Sequence, residues 1–245
     1  MTEIERFQAE TNGLSAAELL RWSRKTFEAD RVTFATSLGA EDQVITHLLA
    51  EHAPELPIFS IDTGRLHEET YATLEETRRR YGVRIAAFFP DREQVEDMVR
   101  AHGPNLFYES SELRKLCCHA RKVVPLERAL RGKKAWICGL RRGQSTTRGS
   151  LEHVMWDDAN GLFKIAPLAH WSEHEVWEFI RTNSIPYNAL HVRGYPSIGC
   201  APCTRAVEPG ADPRSGRWWW ESSEHREGGL HTSERGGRGS GKPVI

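Results

Sequence analysis

The sequence predicts an α/β fold in which one domain contains a doubly wound, mostly parallel sheet. Short apolar runs alternate along the chain with stretches whose apolar residues recur at helical spacing, and small-residue loops follow several of the apolar runs. Alternation of this kind is typical of repeated βαβ units, whose strands lie parallel in one sheet. The predicted strands are residues 31–35, 56–61, 83–89, 135–139 and 162–165.

Helices are predicted before the first strand and between the others. Ser15 to Glu18 is a capping-box pattern within a helical lead-in, residues 1–30, and Ser172 to Glu175 is a second such pattern. Further helices are predicted from residue 44 and over residues 67–81, 91–101 and 110–130. The domain is expected to span residues 1–221, followed by a mobile C-terminal tail, 222–245, which ends Gly-rich and basic.

Composition narrows the class of protein. The net charge of −1 gives no reason to expect a nucleic-acid or membrane partner. No apolar run approaches the ~20 residues of a membrane span, and the first residues lack a secretory signal pattern. Five cysteines without such a signal indicate a reducing, cytoplasmic location, where thiols bind metals or do chemistry.

Four of the five cysteines form two pairs, Cys117-Cys118 and Cys200 with Cys203. Adjacent cysteines are awkward ligands for one zinc ion, because their side chains diverge along the backbone. They suit a cluster in which each thiolate binds a separate iron, and the Cys-x-x-Cys pair supplies two further ligands for a [4Fe–4S] centre. A zinc site and four ordinary buried thiols are the alternatives.

Three loops that follow predicted strands have residues suited to an anionic ligand. Residues 37–42 are mostly small and precede a helix, whose N-terminus favours an anion. Residues 62–65 form a turn, Asp-Thr-Gly-Arg. Residues 139–148 carry three guanidinium groups and three hydroxyl groups, which suit phosphate or sulfate. Ligands of open α/β sheets bind at this end of the strands.

Together these motifs resemble the assimilatory sulfonucleotide reductases, and the two cysteine pairs resemble their [4Fe–4S] branch, the adenosine 5′-phosphosulfate (APS) reductases. The resemblance covers roughly residues 30–231. Its motifs are Ser-Leu-Gly-Ala-Glu-Asp (37–42), Asp-Thr-Gly-Arg-Leu (62–66), Cys-Cys-x-x-x-Lys (117–122), Gly-Leu-Arg-Arg (139–142), Cys-Ala-Pro-Cys (200–203) and Arg-x-Gly-Arg-Trp-Trp-Trp-Glu (214–221).

The resemblance implies the adenine nucleotide alpha-hydrolase-like fold, a [4Fe–4S] cluster, APS as substrate, thioredoxin or a similar thiol donor as partner, and a homo-oligomer. It implies a catalytic role for Lys122, between cluster and substrate, and for His231. The expected substrate-binding residues are Ser37, Leu38, Gly39, Glu41, Asp42, Thr63, Gly64, Arg65, Gly139, Arg141, Arg142, Arg148, Arg214 and Arg217.

The chain departs from the family at the nucleophile. The family's C-terminal motif is Glu-Cys-Gly-Leu-His, whose cysteine attacks the sulfur of APS, whereas this chain has Gly228 at the cysteine's position and retains His231. Three interpretations remain: a disarmed reductase, use of another thiol such as Cys138 or an external one, and APS binding without reduction. An ATP-dependent adenylating or thiolating enzyme of the same superfold is the alternative class, although such enzymes usually carry a different loop at residues 37–42.

Overall fold

The computed structural model describes residues 1–144 and 151–221. It contains one six-stranded sheet with the strand order β3-β2-β1-β4-β6-β5, in which only the β5–β6 pair is antiparallel. This confirms the predicted mostly parallel, doubly wound sheet. The strands are β1 (Val32–Thr36), β2 (Ile58–Ile61), β3 (Ile85–Phe88), β4 (Ala135–Ile137), β5 (Val154–Asp157) and β6 (Leu162–Ile165).

Helices surround the sheet, and three of them begin with the reciprocal hydrogen bonds of a capping box. Ser15 and Ser172 cap their helices as predicted, and Thr2 caps an additional one. The α-helices are α1 (Glu3–Thr11), α2 (Ala16–Phe27), α3 (Ala40–His52), α4 (Glu68–Tyr81), α5 (Arg92–His102), α6 (Ser111–Cys118), α7 (Val124–Leu130) and α8 (Glu173–Thr182). Among the described residues, no helix is both long and apolar enough to cross a bilayer.

The predicted helix over 110–130 is confirmed as an unbroken helical stretch from Ser111 to Leu130, with one irregular part that the sequence did not predict. A π-helical segment, His119–Val123, separates α6 from α7. Pro125 accounts for the wider π-helical turn, since proline has no N–H to donate to the carbonyl four residues earlier. This turn lies directly after Cys117 and Cys118.

Alternating side chains of the strands build a core on each face of the sheet. Phe34, Ile137 and Ile165 pack with residues of α2, α3 and α8 on one face. On the other face, Phe59 and Trp136 pack with residues of α7. Neighbouring positions of one strand thus face opposite cores, as the pleat requires. Because both faces of the sheet are covered by helices, a ligand site is expected at the ends of the strands.

Candidate functional site

A cavity of about 900 Å³ opens at the carboxyl ends of β1, β2 and β4. Strands β1 and β4 are neighbours in the sheet, but the chain leaves them in opposite directions to build the two halves of the strand order. This switch point is where open α/β sheets bind ligands. The volume lies within the range of small-molecule sites, ~300–1,000 Å³.

The loop after β1 is fixed by the carboxylate of Asp42. The backbone N–H and the hydroxyl of Ser37 both donate to Asp42 Oδ2, each at 2.6 Å. Leu38 adopts a left-handed backbone conformation with φ 63°, and its side chain is buried beneath the loop rather than facing the cavity. Ser37, Gly39, Glu41 and Asp42 line the cavity. The loop therefore presents backbone and small polar groups beside the N-terminus of α3.

Because Gly139 has no side chain, the loop after β4 packs closely against the loop after β1. A Cβ at this position would overlap Asp42 Oδ1 and lie 3.2 Å from Asp42 Cγ. Gly139→Ala should therefore lower the free energy of unfolding by about 1–3 kcal/mol, because a buried carboxylate has little room to move. Urea denaturation measures this change. Gly143→Ala is the matched control, since its Cβ would have 3.6 Å to the nearest atom, and equal losses in the two variants would contradict the prediction.

Burial raises the pKa of Asp42 from 3.8 to about 6; Ser37 opposes the rise and Glu41 adds to it. The folded state therefore binds this proton more tightly than the unfolded chain, so stability falls as the pH rises from about 4 to about 6 and is level above that window. Asp42→Asn should remove this contribution. Urea denaturation of both proteins across the window should show the wild type losing stability relative to the variant, and a constant difference would contradict this expectation.

The two predicted arginines at the end of β4 have different surroundings. Arg141 lines the cavity, and its Nη2 forms an ion pair with Glu41 Oε1 at 2.7 Å, joining the β4 loop to the start of α3. Arg142 donates instead to the carbonyl of Leu151 and to Glu152, away from the cavity-lining residues. Arg141 is thus the member of this pair that is placed to meet a ligand.

The turn after β2 faces the cysteines. Thr63 lines the cavity, and its hydroxyl lies 3.2 Å from Cys200 Sγ. Arg65 donates to Pro104 and Asn105, and its carbonyl accepts the N–H of Ala201. Gly64 and Arg65 are not among the cavity-lining residues. Arg65 therefore supports the Cys200–Cys203 segment and borders the space between the thiols rather than the cavity.

The four paired cysteines converge in one buried cluster with Trp218. All four thiols are free, and they surround a narrow space of about 20 Å³ together with Arg114, Arg121 and Lys122. Trp218 Nε1 is buried here without a hydrogen-bond partner among the described residues. A donor set of four thiols, edged by cations and an unused N–H, suits an anionic metal–sulfur group.

Zinc is the alternative metal for these thiols. Thiolates on one tetrahedral ion lie roughly 3.8 Å apart, as Zn–S bonds of ~2.3 Å require. The described residues contain no group of three cysteine, histidine or carboxylate side chains arranged for one ion. A cubane cluster instead binds its four thiolates through four separate irons, so it does not require such a group around one ion.

Electrostatics single out Cys200 among the four thiols. Burial raises the pKa of Cys117 to about 11 and that of Cys203 to about 12. Burial opposes ionisation of Cys200 too, but Lys122, Thr63 and Arg217 together lower its pKa below the ordinary value. Conversely, burial disfavours the charged ammonium of Lys122, yet Cys200 and Cys118 hold its pKa above the ordinary value.

Lys122 and Arg217 lie at the boundary between the cysteines and the cavity. Lys122 and Cys200 border both the cavity and the space between the thiols, and Arg214 and Arg217 line the cavity beside them. The cationic end of the cavity is therefore the end nearest the cysteines. An extended ligand with an anionic head would place that head here.

Comparison with known proteins identifies the family. The family model of the phosphoadenosine phosphosulfate reductase domain matches residues 31–206, which include both cysteine pairs and all three strand-end loops. The chain belongs to the sulfonucleotide reductase family. A relative from Allochromatium vinosum, named adenosine 5′-phosphosulfate reductase, is 52% identical over 224 residues, 91% of this chain and 87% of the relative. Its namesake from Burkholderia cepacia is 52% identical over 82% of this chain and 81% of its own length.

Solved structures also resemble this chain in fold. Phosphoadenylyl-sulfate reductase from Candida auris, in a phosphate complex, is 27% identical with a TM-score of 0.72, covering 84% of this chain and 98% of that one. FMN adenylyltransferase from Candida glabrata, 19% identical with a TM-score of 0.57 over 95% of this chain and 78% of that one, shares the fold alone. The predicted adenine nucleotide alpha-hydrolase-like fold is thereby confirmed.

Three predicted site residues, Arg148, Gly228 and His231, lie outside the described residues, as does the predicted tail. Other residues at the site were not anticipated from the sequence. Trp177, Tyr187 and His191 line the cavity. Their residue types could have suggested a ligand site, but their spacing in the sequence forms no motif that predicts one. They belong to α8 and to the irregular segment after it, which lie beside the cavity in the folded chain.

Arg114 was also missed, and it connects two parts of the site. Its guanidinium donates to both carboxylate oxygens of Glu221 at 3.0 and 2.8 Å, and the residue is 1% exposed. It also lies 4.5 Å from the Trp218 ring and forms a hydrogen bond with Cys118. The pair ties the segment after Arg217 to the cysteine-bearing helix α6, and such a buried pair is costly to break.

Proposed function

We propose that this chain binds adenosine 5′-phosphosulfate in the cavity and supports its reductive cleavage to AMP and sulfite. The observation that carries this proposal is the continuity of the site: one cavity extends from the nucleotide-type loops of β1 and β4 to Lys122, Arg217 and Cys200. APS has the matching asymmetry, with an uncharged nucleoside at one end and an anionic phosphosulfate at the other. The relatives' names point to the same substrate.

The binding mode follows from this asymmetry. The backbone groups of residues 37–42, beside the N-terminus of α3, would bind the nucleotide's ribose and phosphate side. Lys122, Arg214 and Arg217 would bind the phosphosulfate and offset the negative charge that AMP carries as it leaves. Because Arg217 is buried and Lys122 is partly buried, their attraction for the anion is screened less by salt than that of surface charges.

We propose that the four paired cysteines hold a [4Fe–4S] cluster. When bound, the cluster would supply a fixed, net-negative centre that tunes the field at the substrate, rather than electrons for the reaction. Lys122 then lies beside both that centre and the sulfate group, so one ammonium couples the two electrostatically. The Thr63 hydroxyl near Cys200 and the buried indole N–H of Trp218 would be available to donate hydrogen bonds to it.

The chemistry requires two thiols. A thiolate attacks the sulfur of APS, the bond from that sulfur to the bridging oxygen breaks, and AMP leaves with the electron pair. A second thiol attacks the thiol-derived sulfur of the resulting S-sulfonate, forming a disulfide and releasing sulfite. Gly228 has no side chain to make the first attack, so in this proposal a donor such as thioredoxin supplies both thiols. We also propose a reducing, cytoplasmic location, which would keep the donor and the five cysteines reduced.

Gly228 favours a second candidate function, which is APS binding without reduction. Anaerobically purified protein, incubated with APS and either thioredoxin or glutathione, separates the two candidates. Release of equal amounts of AMP and sulfite supports reduction, whereas saturable binding without either product supports the second candidate. Cys138→Ser tests the remaining internal thiol, which is 3% exposed at the end of β4. Pyrophosphate release from ATP would instead indicate the adenylating class.

A further inference from the structure

The guanidinium of Arg217 is held between an aromatic ring and a peptide loop. It lies 4.8 Å from the ring of Trp218. Its Nη1 makes long hydrogen bonds to Ser197 Oγ at 3.4 Å and to the carbonyl of Ile198 at 3.5 Å. Its Nε is buried with no hydrogen-bond partner among the described residues. The group is thus fixed in place while retaining an unused donor.

The loop beside the guanidinium is residues 197–200, and Gly199 makes this close packing possible. A Cβ built on Gly199 would lie 2.6 Å from Arg217 Cζ and 3.0 Å from Nη1. Such separations are far inside van der Waals contact, so any side chain at residue 199 must displace the guanidinium. Arg217 is 8% exposed and lines the cavity, so a displaced guanidinium would leave its place beside Trp218 and the loop and move into the cavity.

We infer that Gly199 is a positioning residue for the anion site: its bare peptide lets Arg217 lie flat on the loop and present its donors to the phosphosulfate. This inference rests on the proposed function. Gly199 also immediately precedes Cys200, so the segment that carries one pair of thiols is the same segment that supports the substrate-binding cation. Any substitution at 199 should then weaken binding of the anionic head and spare binding of the nucleoside.

A double-mutant cycle tests this assignment. Gly199→Ala, Arg217→Ala and the double variant are compared with the wild type by calorimetric titration with APS and, separately, with adenosine. We expect each single variant to bind APS about ten- to a hundredfold more weakly, the loss typical of a charge-assisted contact. In the Arg217→Ala background, Gly199→Ala should cause no further loss, because Gly199 acts only through Arg217. Adenosine affinity should be unchanged in all four proteins.

Stability supplies a second readout. If Gly199→Ala folds poorly because of the clash, truncating Arg217 leaves room for the new Cβ, so the double variant should recover thermal stability. The inference would be overturned if Gly199→Ala lowered APS affinity as much in the Arg217→Ala background as it does in the wild type. A double variant as unstable as Gly199→Ala would overturn it as well. Unaltered APS binding by Gly199→Ala would overturn it too. A wild type that binds neither APS nor adenosine would instead refute the proposed function itself.

Discussion

Gly228→Cys should increase the rate of sulfite release from APS by about a thousandfold or more, because it restores an internal nucleophile at the position where the family has one. A bound substrate then meets a tethered thiolate, rather than one that must diffuse in from solution. The measurement is sulfite formation with thioredoxin under anaerobic conditions, with the wild type assayed alongside. A covalent adduct of added mass SO₃ on the variant, seen by mass spectrometry before thioredoxin is added, is the accompanying signature.

Two controls make that result specific. Gly229→Cys moves the thiol by one residue and should not reproduce the gain, since the attack requires a defined position. Gly228→Ser introduces a side chain close in size to that of cysteine, but it lacks the soft nucleophile that attack at sulfur requires. Comparable rates for the wild type and Gly228→Cys would show that residue 228 is not the nucleophile's position in this chain.

Cys200→Ala should remove the iron from the purified protein, from about four atoms per chain to almost none. Cys200 is the paired cysteine that borders both the thiol cluster and the substrate cavity, so its loss should also disturb Lys122 and weaken APS binding. Iron analysis and visible absorbance of anaerobically purified protein measure the first effect. Calorimetric titration with APS measures the second.

Cys138→Ala is the matched control for iron content. Cys138 is likewise a buried cysteine, but it packs in the core beneath β4 and lies outside the four-thiol cluster. We expect this variant to retain its iron. A wild type without iron, or loss of iron in Cys138→Ala but not in Cys200→Ala, would contradict the assignment of the four ligands.

The parts of the fold that the sequence predicted well are those governed by local patterns. The five predicted strands are present within a few residues, and the helices begun by Ser15 and Ser172 are capped as expected. The sequence also predicted that the two cysteine pairs would converge, as they do. The residue type was sufficient for this prediction, because four thiols bind one metal centre only if they lie together. Loops at the carboxyl ends of parallel strands share one edge of the sheet, so their meeting followed from topology.

The features that were missed depend on tertiary contacts. Strand β5 forms by antiparallel pairing with β6 at the edge of the sheet, which no local pattern specifies. The direction of a long side chain is equally non-local: Arg65 and Arg142 lie in the loops after β2 and β4, but they bond to Asn105 and Glu152 and do not line the cavity. The backbone conformation of Gly199 is not one that requires glycine. Only the packing of Arg217 against this residue reveals its role.

The most direct test of the central claim is a calorimetric titration of APS into the anaerobically purified wild-type chain, beside Lys122→Met and Lys115→Met. Lys122 borders the cavity and the cysteines, whereas Lys115 is exposed on α6 and does not line the cavity. We predict one APS per wild-type chain, an affinity about ten- to a hundredfold lower in Lys122→Met, and an unchanged affinity in Lys115→Met. A wild type that does not bind APS, or equal affinities in all three proteins, would contradict the account.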